Sequence, residues 1–358
     1  MRNSLVCRAG ILAVVIAFSC FGLCPAVGAA VSFKGKVITV VVPTAPGGGT
    51  DTFARQIAVH LPKFIPGNPS MIVRNMEAAG GMTAANFVYA AKPNGLTVLA
   101  TSNRTVLAQA FDLKGRKFKL ENMVPVYASP QGMIFWSKKE TVKEPKDVMN
   151  GKIIYGGDSV VTSSTPFAWG KKVIGFKTEK VIVGYSGSGD AHLAFISGEV
   201  NTAGGGAMVY NTTLKPYIDK GEVVGIFQTG ILDENGSIVR EVPDVPTVPE
   251  LYEMIYRKKP AGMDMDVYKL LVGIRSYAKT VALPPGTPEE IQHTYLDAVG
   301  KMVKDPKFMA AADKSNPGAL HYTGQKLVTA FRKSINVDPK VVAFMKQYLT
   351  AEYGVAFD

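Results

Sequence analysis

Residues 37–61 read VITVVVPTAPGGGTDTFARQIAVHL, and their pattern predicts the local structure. Its first six residues are all β-branched, which is typical of a strand buried on both faces of a parallel sheet. Phe53, Ile57 and Leu61 follow at helical spacing, and we expect a helix capped by Thr50 or Asp51. The stretch therefore predicts a strand, a glycine-rich loop and a helix, in that order.

The loop PGGGTD at 46–51 lies at the carboxyl end of the predicted strand, where parallel α/β sheets bind their ligands. Three consecutive glycines remove every Cβ, and the free amides of the following helix favour an anion. A P-loop would need Lys and then Ser or Thr after Gly49, and a dinucleotide fingerprint would need glycine in place of Thr52. The loop is therefore interpreted as a carboxylate site, with a glycine turn that binds no ligand as the alternative.

Strand and helix patterns alternate along the rest of the chain. We predict further strands over 70–74, 96–100, 152–155, 181–183 and 223–227, with helical stretches between them. Near the end, TPEE at 287–290 has the pattern of a capping box and predicts a helix that extends to about residue 303. The alternation predicts an α/β fold of parallel sheets with helices on both faces.

The first 30 residues have the pattern of a secretory signal peptide. Arg2 and Arg8 precede an apolar run over 11–23, and small residues follow as far as Ala29 and Ala30. We expect cleavage after Ala29 or Ala30 and export to the periplasm. A membrane anchor is one alternative, although the run is shorter than the roughly 20 apolar residues of a spanning helix. A lipid anchor at Cys20 or Cys24 is another.

The remaining 328 of the 358 residues carry 38 of the 40 basic and all 29 acidic residues, a net charge near +9. Such a charge attracts anions in general. The basic residues are dispersed and not interleaved with aromatic residues, which argues against nucleic acid as a partner. The three cysteines, at 7, 20 and 24, all lie in the predicted signal peptide, so the core must supply the stability. The length suffices for two domains.

A second cluster, GYSGSGD at 184–190, follows another predicted strand. A nucleophile elbow needs glycine two residues before and after its serine, and neither Ser186 nor Ser188 has both. None of the four histidines has another histidine or a cysteine at i+3 or i+4. We therefore expect no catalytic residue, metal or cofactor, and interpret the cluster as hydroxyls and amides that face a ligand. A general-base role for Asp51 is the alternative to capping the helix and fixing the loop.

With these motifs, the chain resembles the receptor family of tripartite tricarboxylate transporters, the Bug-type extracytoplasmic solute-binding proteins. The motifs that carry the resemblance span nearly the whole chain after the signal: KVI at 36–38, VP at 42–43, PGGGTD at 46–51, Asn75 with AGG at 79–81, PNGLTVL at 93–99, GKIIY at 151–155, GEV at 198–200, PDVPTVPE at 243–250 and PPGTP at 284–288. Two segments depart from the family. Residues 75–81 read NMEAAGG and lack the family's Arg and Pro, and DSVVTSSTP at 158–166 lacks its histidine.

The resemblance implies a two-lobed periplasmic-binding-protein fold of type II, an α/β Venus flytrap in which the chain crosses twice between the lobes. It implies that 31–129 and 251–358 form lobe 1 and that 130–250 form lobe 2, after the signal peptide at 1–30. A carboxylate is then held by main-chain amides and waters from two loops of lobe 1, while lobe 2 sets specificity. The lobe 1 residues implied are Ala45, Pro46, Gly47, Gly48, Gly49, Thr50, Asp51, Thr101, Ser102 and Asn103. The lobe 2 residues implied are Ser163, Ser164, Thr165, Tyr185, Ser186, Gly187, Ser188 and Asp190.

The expected function is capture of a small organic acid, either a di- or tricarboxylate or an aromatic carboxylate. The expected protein is a periplasmic monomer that delivers this acid to the inner-membrane permease subunits of a tripartite tricarboxylate-type transporter. A ligand-presenting partner of a two-component sensor kinase is an alternative that needs the same fold and the same closure. An exported α/β hydrolase-like enzyme is the third interpretation.

Overall fold

The computed structural model describes residues 31–162, 164–233 and 235–357. The predicted signal peptide, with Ala29, Ala30, Cys20 and Cys24, lies outside the described residues, and so does Ser163. The strands are β1 Val37–Val42, β2 Ser70–Asn75, β3 Thr97–Ala100, β4 Val124–Ala128, β5 Ile134–Lys138, β6 Ile153–Gly157, β7 Thr178–Val183, β8 Thr202–Gly205, β9 Val223–Gln228, β10 Ile231–Leu232, β11 Ile238–Val239, β12 Thr280–Leu283 and β13 Tyr322–Thr323. The helices are α1 Gly49–His60, α2 Met82–Tyr89, α3 Asn103–Ala110, α4 Thr165–Ile174, α5 Ser188–Ser197, α6 Ala207–Asn211, α7 Lys215–Asp219, α8 Val248–Tyr256, α9 Met263–Ser276, α10 Glu289–Met302, α11 Pro306–Ser315, α12 Gly324–Ile335 and α13 Pro339–Tyr353.

The first sheet has the strand order β13-β4-β12-β3-β1-β2. Strand β1 lies between the edge strand β2 and β3 and pairs in parallel with both, as the β-branched run predicts. Val40 and Val41 point to opposite faces and are both fully buried, because apolar clusters pack on each side of the sheet. The glycine loop therefore begins at the carboxyl end of a strand whose sheet is covered on both faces.

The second sheet has the order β7-β6-β8-β5-β9 and repeats the plan of the first. β6 pairs in parallel with β7 and β8, while β5 runs antiparallel to β8 and β9. In the first sheet β12 is likewise antiparallel to both of its neighbours. The prediction of parallel sheets was therefore wrong, because β5 and β12 enter their sheets from the other half of the molecule, and β13 also runs antiparallel to β4.

The chain passes between the sheets twice, as the type II fold requires. It leaves the first sheet after β4 and enters the second at β5, and it returns after β9 to form β12 in the first sheet. Helix α9 lies on the return path and packs against α3 and α4. The division into lobes stays a prediction, and its boundary at 250/251 falls within α8.

Two predicted helix caps are wrong. Helix α1 begins at Gly49 with Gly48 as its N-cap, so Thr50 and Asp51 lie inside its first turn. Helix α10 has Pro288 as its N-cap, and the Thr287 hydroxyl donates instead to the Pro284 carbonyl. A capping box forms at the start of α8, between Thr247 and Glu250 of the PDVPTVPE motif.

Within the described residues, we find no helix that combines 18 residues with enough apolar character to cross a bilayer.

Candidate functional site

A cavity of about 680 Å³ opens between the two sheets. Main-chain and side-chain atoms from both halves of the molecule line it. On the side of the first sheet these include Thr44, Ala45, Pro46, Gly47, Gly48, Gly49, Thr50, Phe53, Glu77, Asn103, Arg104, Tyr127, Arg275, Lys279 and His321. On the side of the second sheet they include Ser186, Gly187, Gly189, Asp190, His192, Gly205, Gly206 and Met208. Part of three predicted segments, 45–51, 101–103 and 185–190, therefore faces one shared space.

The glycine loop reaches the cavity over its whole length from Ala45 to Thr50. Gly47 has φ +80°, a left-handed conformation that favours glycine, and a Cβ there would meet only open space. Gly48 has extended backbone angles that any residue adopts, so its missing side chain matters for the space it leaves. The loop thus offers main-chain amides at the start of α1, next to a free volume.

Asp51 does not line the cavity but holds the loop from behind. Its carboxylate is 2% exposed and accepts hydrogen bonds from the Gly47 amide at 2.8 Å, Asn75 Nδ2 at 3.0 Å and Arg55 Nε at 2.8 Å. Burial alone would raise the pKa of Asp51, but these donors outweigh it and leave the pKa below its ordinary value. The residue is therefore an ionised clamp between the loop and the end of β2.

The second predicted loop, 101–103, contributes mainly through Asn103. Thr101 is fully buried, and its hydroxyl bonds to main-chain oxygens of the β12 segment, including Ala278 O at 2.9 Å. Ser102 caps α3 by accepting from the Thr105 amide. Asn103 lines the cavity, and its Nδ2 has no hydrogen-bond partner among the described residues. The structure therefore gives the first two residues structural contacts and leaves Asn103 free for a ligand.

The predicted residues near the second sheet separate into two groups. Ser186, Gly187 and Asp190 line the cavity, at or just before the start of α5, whose first residue is Ser188. The remaining three described residues are engaged elsewhere: the Tyr185 hydroxyl donates to Glu199, the Ser164 hydroxyl contacts the Tyr155 hydroxyl and Asp158, and the Thr165 hydroxyl donates to Val160 O.

Lys279 is the cavity residue that the sequence reasoning missed most clearly. It is 8% exposed, stands immediately before β12, and has its Nζ 5.9 Å from the centre of the Phe53 ring. A Cβ built on Gly49 would lie 3.0 Å from this Nζ, so the ammonium lies against the glycine loop. Burial lowers the pKa of Lys279 to about 7, with repulsion from Arg275 adding to the effect and attraction by Glu241 opposing it. The one signal in the sequence is a lysine directly before the apolar run TVAL.

Arg275 and Glu241 form a charged pair that joins the two chain crossings through Gly132. Arg275 Nη2 donates to the Gly132 carbonyl at 2.9 Å, and the Gly132 amide donates to Glu241 Oε2 at 2.7 Å. Burial lowers the pKa of Arg275 to about 10 and raises that of Glu241, while the opposite charge of each limits the shift of the other. The pair therefore largely balances its own charge.

A salt bridge joins the two halves of the molecule beside the cavity. Arg104, on α3 beside the first sheet, places Nη2 2.9 Å from Oδ2 of Asp158, which follows β6 of the second sheet. The two side chains are 21% and 5% exposed. This contact holds the two sides of the cavity together.

His192 reaches the cavity from α5 with little exposure, 8%. Neither ring nitrogen has a hydrogen-bond partner among the described residues, and the ring stands edge-on to Trp136 with the centroids 6.1 Å apart. Burial lowers its pKa below the ordinary value, so the ring is neutral at pH 7. Metal-ligand spacing in the sequence gives no signal for His192, because the residue is an isolated polar group in the cavity.

No family model matches the sequence. A UPF0065 protein of Bordetella pertussis is 24% identical over 321 residues, which cover 85% of this chain and 88% of that protein. Protein BugT, also of Bordetella pertussis, is 33% identical over 97 residues, which cover 26% of this chain and 29% of BugT.

Solved structures of periplasmic receptors have the same fold. A TctC solute-binding protein from Polaromonas superposes with a TM-score of 0.60 at 20% identity, covering 89% of this chain and 100% of that chain. MatC from Rhodopseudomonas palustris with bound malate gives 0.61 at 20% identity over 88% and 100%. The periplasmic binding protein BugD gives 0.62 at 19% identity over 88% and 98%. These similarities confirm the resemblance seen in the sequence: the chain is similar in sequence to a UPF0065 protein and to BugT, and it has the fold of the TctC and BugD periplasmic binding proteins.

Proposed function

We propose that this protein is an exported receptor that captures a small organic acid in the cavity and delivers it to the permease subunits of a tripartite tricarboxylate-type transporter. The observation that carries the proposal is the meeting of the glycine loop and the Lys279 ammonium at one wall of the cavity. Main-chain amides at a helix start and a buried cation both favour an anion.

The cavity has the size and the lining expected for such a ligand. Its volume of about 680 Å³ lies within the range of about 300–1,000 Å³ that is usual for small-molecule sites. Phe53 and Tyr127 stack at 5.7 Å and supply apolar surface beside the polar loop. A carbon skeleton that carries a carboxylate would satisfy both kinds of surface.

The similar proteins support the class of function and the class of ligand that we propose. They are solute-binding proteins, and MatC carries malate in its solved structure. We propose binding without turnover for this chain, and a di-, tri- or aromatic carboxylate as its ligand. Export to the periplasm follows from the signal-peptide pattern at the start of the sequence.

A thermal-shift screen tests the proposal. A ligand that binds the folded state alone stabilises it by RT ln(1 + [L]/Kd), so a matching acid raises the melting temperature in proportion to the logarithm of its concentration. The panel contains malate, adipate, citrate and benzoate, with sugars and neutral amides as controls. If a broad range of acids gives no shift, the proposal is wrong.

The variant Gly48→Leu tests the place of binding. Position 48 accepts a side chain without backbone strain, and the nearest atom to its Cβ would be Ala45 O at 3.5 Å, so the leucine would project into the cavity. We expect the ligand-induced shift to disappear while the ligand-free melting temperature stays within a few degrees. An unchanged affinity would remove the loop from the site. Transport is then separated from sensing by measuring uptake and gene induction in a deletion strain.

A further inference from the structure

Lys279 is a buried lysine at the wall of the cavity. Among the described residues it takes part in none of the salt bridges, although it is more than nine-tenths buried. Transfer of an ammonium group out of water is strongly unfavourable unless an opposite charge accompanies it. The ligand-free protein therefore holds a group whose environment improves when an anion arrives.

The neighbouring charges do not supply that anion. Glu241 is bonded to the Gly132 amide and to Asn316 Nδ2, and its charge offsets that of Arg275 on the other side of the Gly132 peptide. Because the charge of Glu241 is offset by Arg275, it leaves the positive charge of Lys279 largely uncompensated.

The geometry also says where the missing anion belongs. The Lys279 Nζ lies where it would nearly touch a Cβ at Gly49, at 3.0 Å, which is closer than most real side chains come. The first free amides of α1 are in the same loop. An anion in contact with these amides is therefore within reach of the ammonium.

We infer that Lys279 is a ligand-binding residue which, together with the amides of the glycine loop, holds one carboxylate of the ligand as a direct ion pair. This inference rests on the proposed function and narrows it: the cavity selects a ligand whose carboxylate enters fully ionised, and it rejects the matching amide. A side chain at position 49 would press against the ammonium, so the glycine there leaves Lys279 its place beside the loop.

Binding is then coupled to proton uptake. Since the pKa of Lys279 in the ligand-free protein is depressed to about 7, part of the population is neutral at pH 7 and above. A bound carboxylate raises this pKa, so affinity is full below pH 7 and falls by up to about tenfold per pH unit as the pH rises above it. The ligand's own carboxylate stays ionised throughout this range.

Other titratable groups around Lys279 do not produce the same profile. Besides Arg275 and Glu241, the cavity presents Glu77, Arg104, Tyr127, Asp190, His192 and His321. Burial lowers the pKa of both histidines, so they are neutral before the pH reaches 7, and burial raises the pKa of Tyr127 far above the range. Glu77 and Asp190 are exposed carboxylates at the rim.

The test compares Lys279→Met with Lys269→Met, which removes an exposed lysine of α9 and changes the net charge equally. The probes are malate, adipate and benzoate beside malamide, adipamide and benzamide, titrated by calorimetry in buffers of different ionisation enthalpy. For Lys279→Met we expect an affinity lower by about 10- to 100-fold, the loss of one charged hydrogen bond. We also expect loss of the buffer-dependent enthalpy and a higher melting temperature without ligand. Lys269→Met should match the wild type.

Failure of this inference is distinct from failure of the proposed function. If no acid binds the wild type, the proposed function itself is wrong. If an acid binds Lys279→Met as tightly as the wild type, the function stands and the ion pair is refuted. If Lys279→Met does not fold, the pH dependence of ligand affinity in the wild type tests the ion pair. An affinity that is constant between about pH 6 and 9 overturns the inference.

Discussion

Asp51→Asn is the sharpest test of how the loop is held in place. The Asp51 carboxylate accepts from three donors at once: the Gly47 amide, Asn75 Nδ2 and Arg55 Nε. An asparagine has the same shape but keeps one acceptor oxygen, and its amide group would face donors. At least one present hydrogen bond must therefore be lost, and the charge that strengthens the others disappears.

The expected loss of stability in Asp51→Asn can be calculated from these contacts. A hydrogen bond to a charged group contributes about 1.5–3 kcal/mol, and a buried donor left unsatisfied costs about 1–3 kcal/mol. The Gly47 amide is near solvent and can be rehydrated, whereas Asn75 is partly buried. We therefore expect Asp51→Asn to lower the free energy of unfolding by about 2–3 kcal/mol. Ligand affinity should fall as well, because the loop amides lose their fixed orientation.

Urea denaturation monitored by fluorescence measures this change at pH 7, with and without ligand. The control is Arg55→Gln, which removes only the half of the pair whose side chain is 55% exposed, and which should destabilise the protein much less than Asp51→Asn because solvent screens an exposed charge. Because the pKa of Asp51 is lowered on folding, its contribution is present above pH 4 and is lost as the pH falls below it. The difference between Asp51→Asn and wild type should therefore shrink at low pH. Equal stability and equal affinity at pH 7 would refute the clamp.

Three further predictions concern the core and the cavity. Gly170→Ala should destabilise by about 1–3 kcal/mol, because a Cβ there would lie 2.5 Å from the buried Phe227 ring. Gly300→Ala, in the last turn of α10 where a Cβ would meet only open space, should instead stabilise by about 0.4–1 kcal/mol. Equal behaviour of the two variants in urea denaturation would contradict the packing argument. Arg104→Gln should lower the free energy of unfolding by about 1.5–3 kcal/mol, because it removes the ion pair with Asp158, which is 5% exposed. Small-angle scattering of the ligand-free variant should also show a larger radius of gyration. An unchanged radius would mean that the salt bridge does not hold the cavity closed.

Most of the local secondary structure could be predicted from the sequence. The β-branched run 37–42 forms β1 with its predicted bounds, because six residues of one strong preference leave little freedom. The alternating segments likewise appear at their predicted places, within a few residues at each end. Caps were less predictable, since Asp51 could bond either to its own helix or to Gly47 and Asn75, and only the position of β2 decides between them.

The sequence by itself determined the α/β class, the glycine loop at the end of the first strand and the family resemblance, because these depend on short-range patterns. The tertiary structure alone decided which polar groups share the cavity. Lys279 and Gly49 are separated by 230 positions in the chain, and they meet because the chain returns from the second sheet and places β12 antiparallel beside β3. Contacts of that span depend on strand order and direction, which local periodicity does not encode.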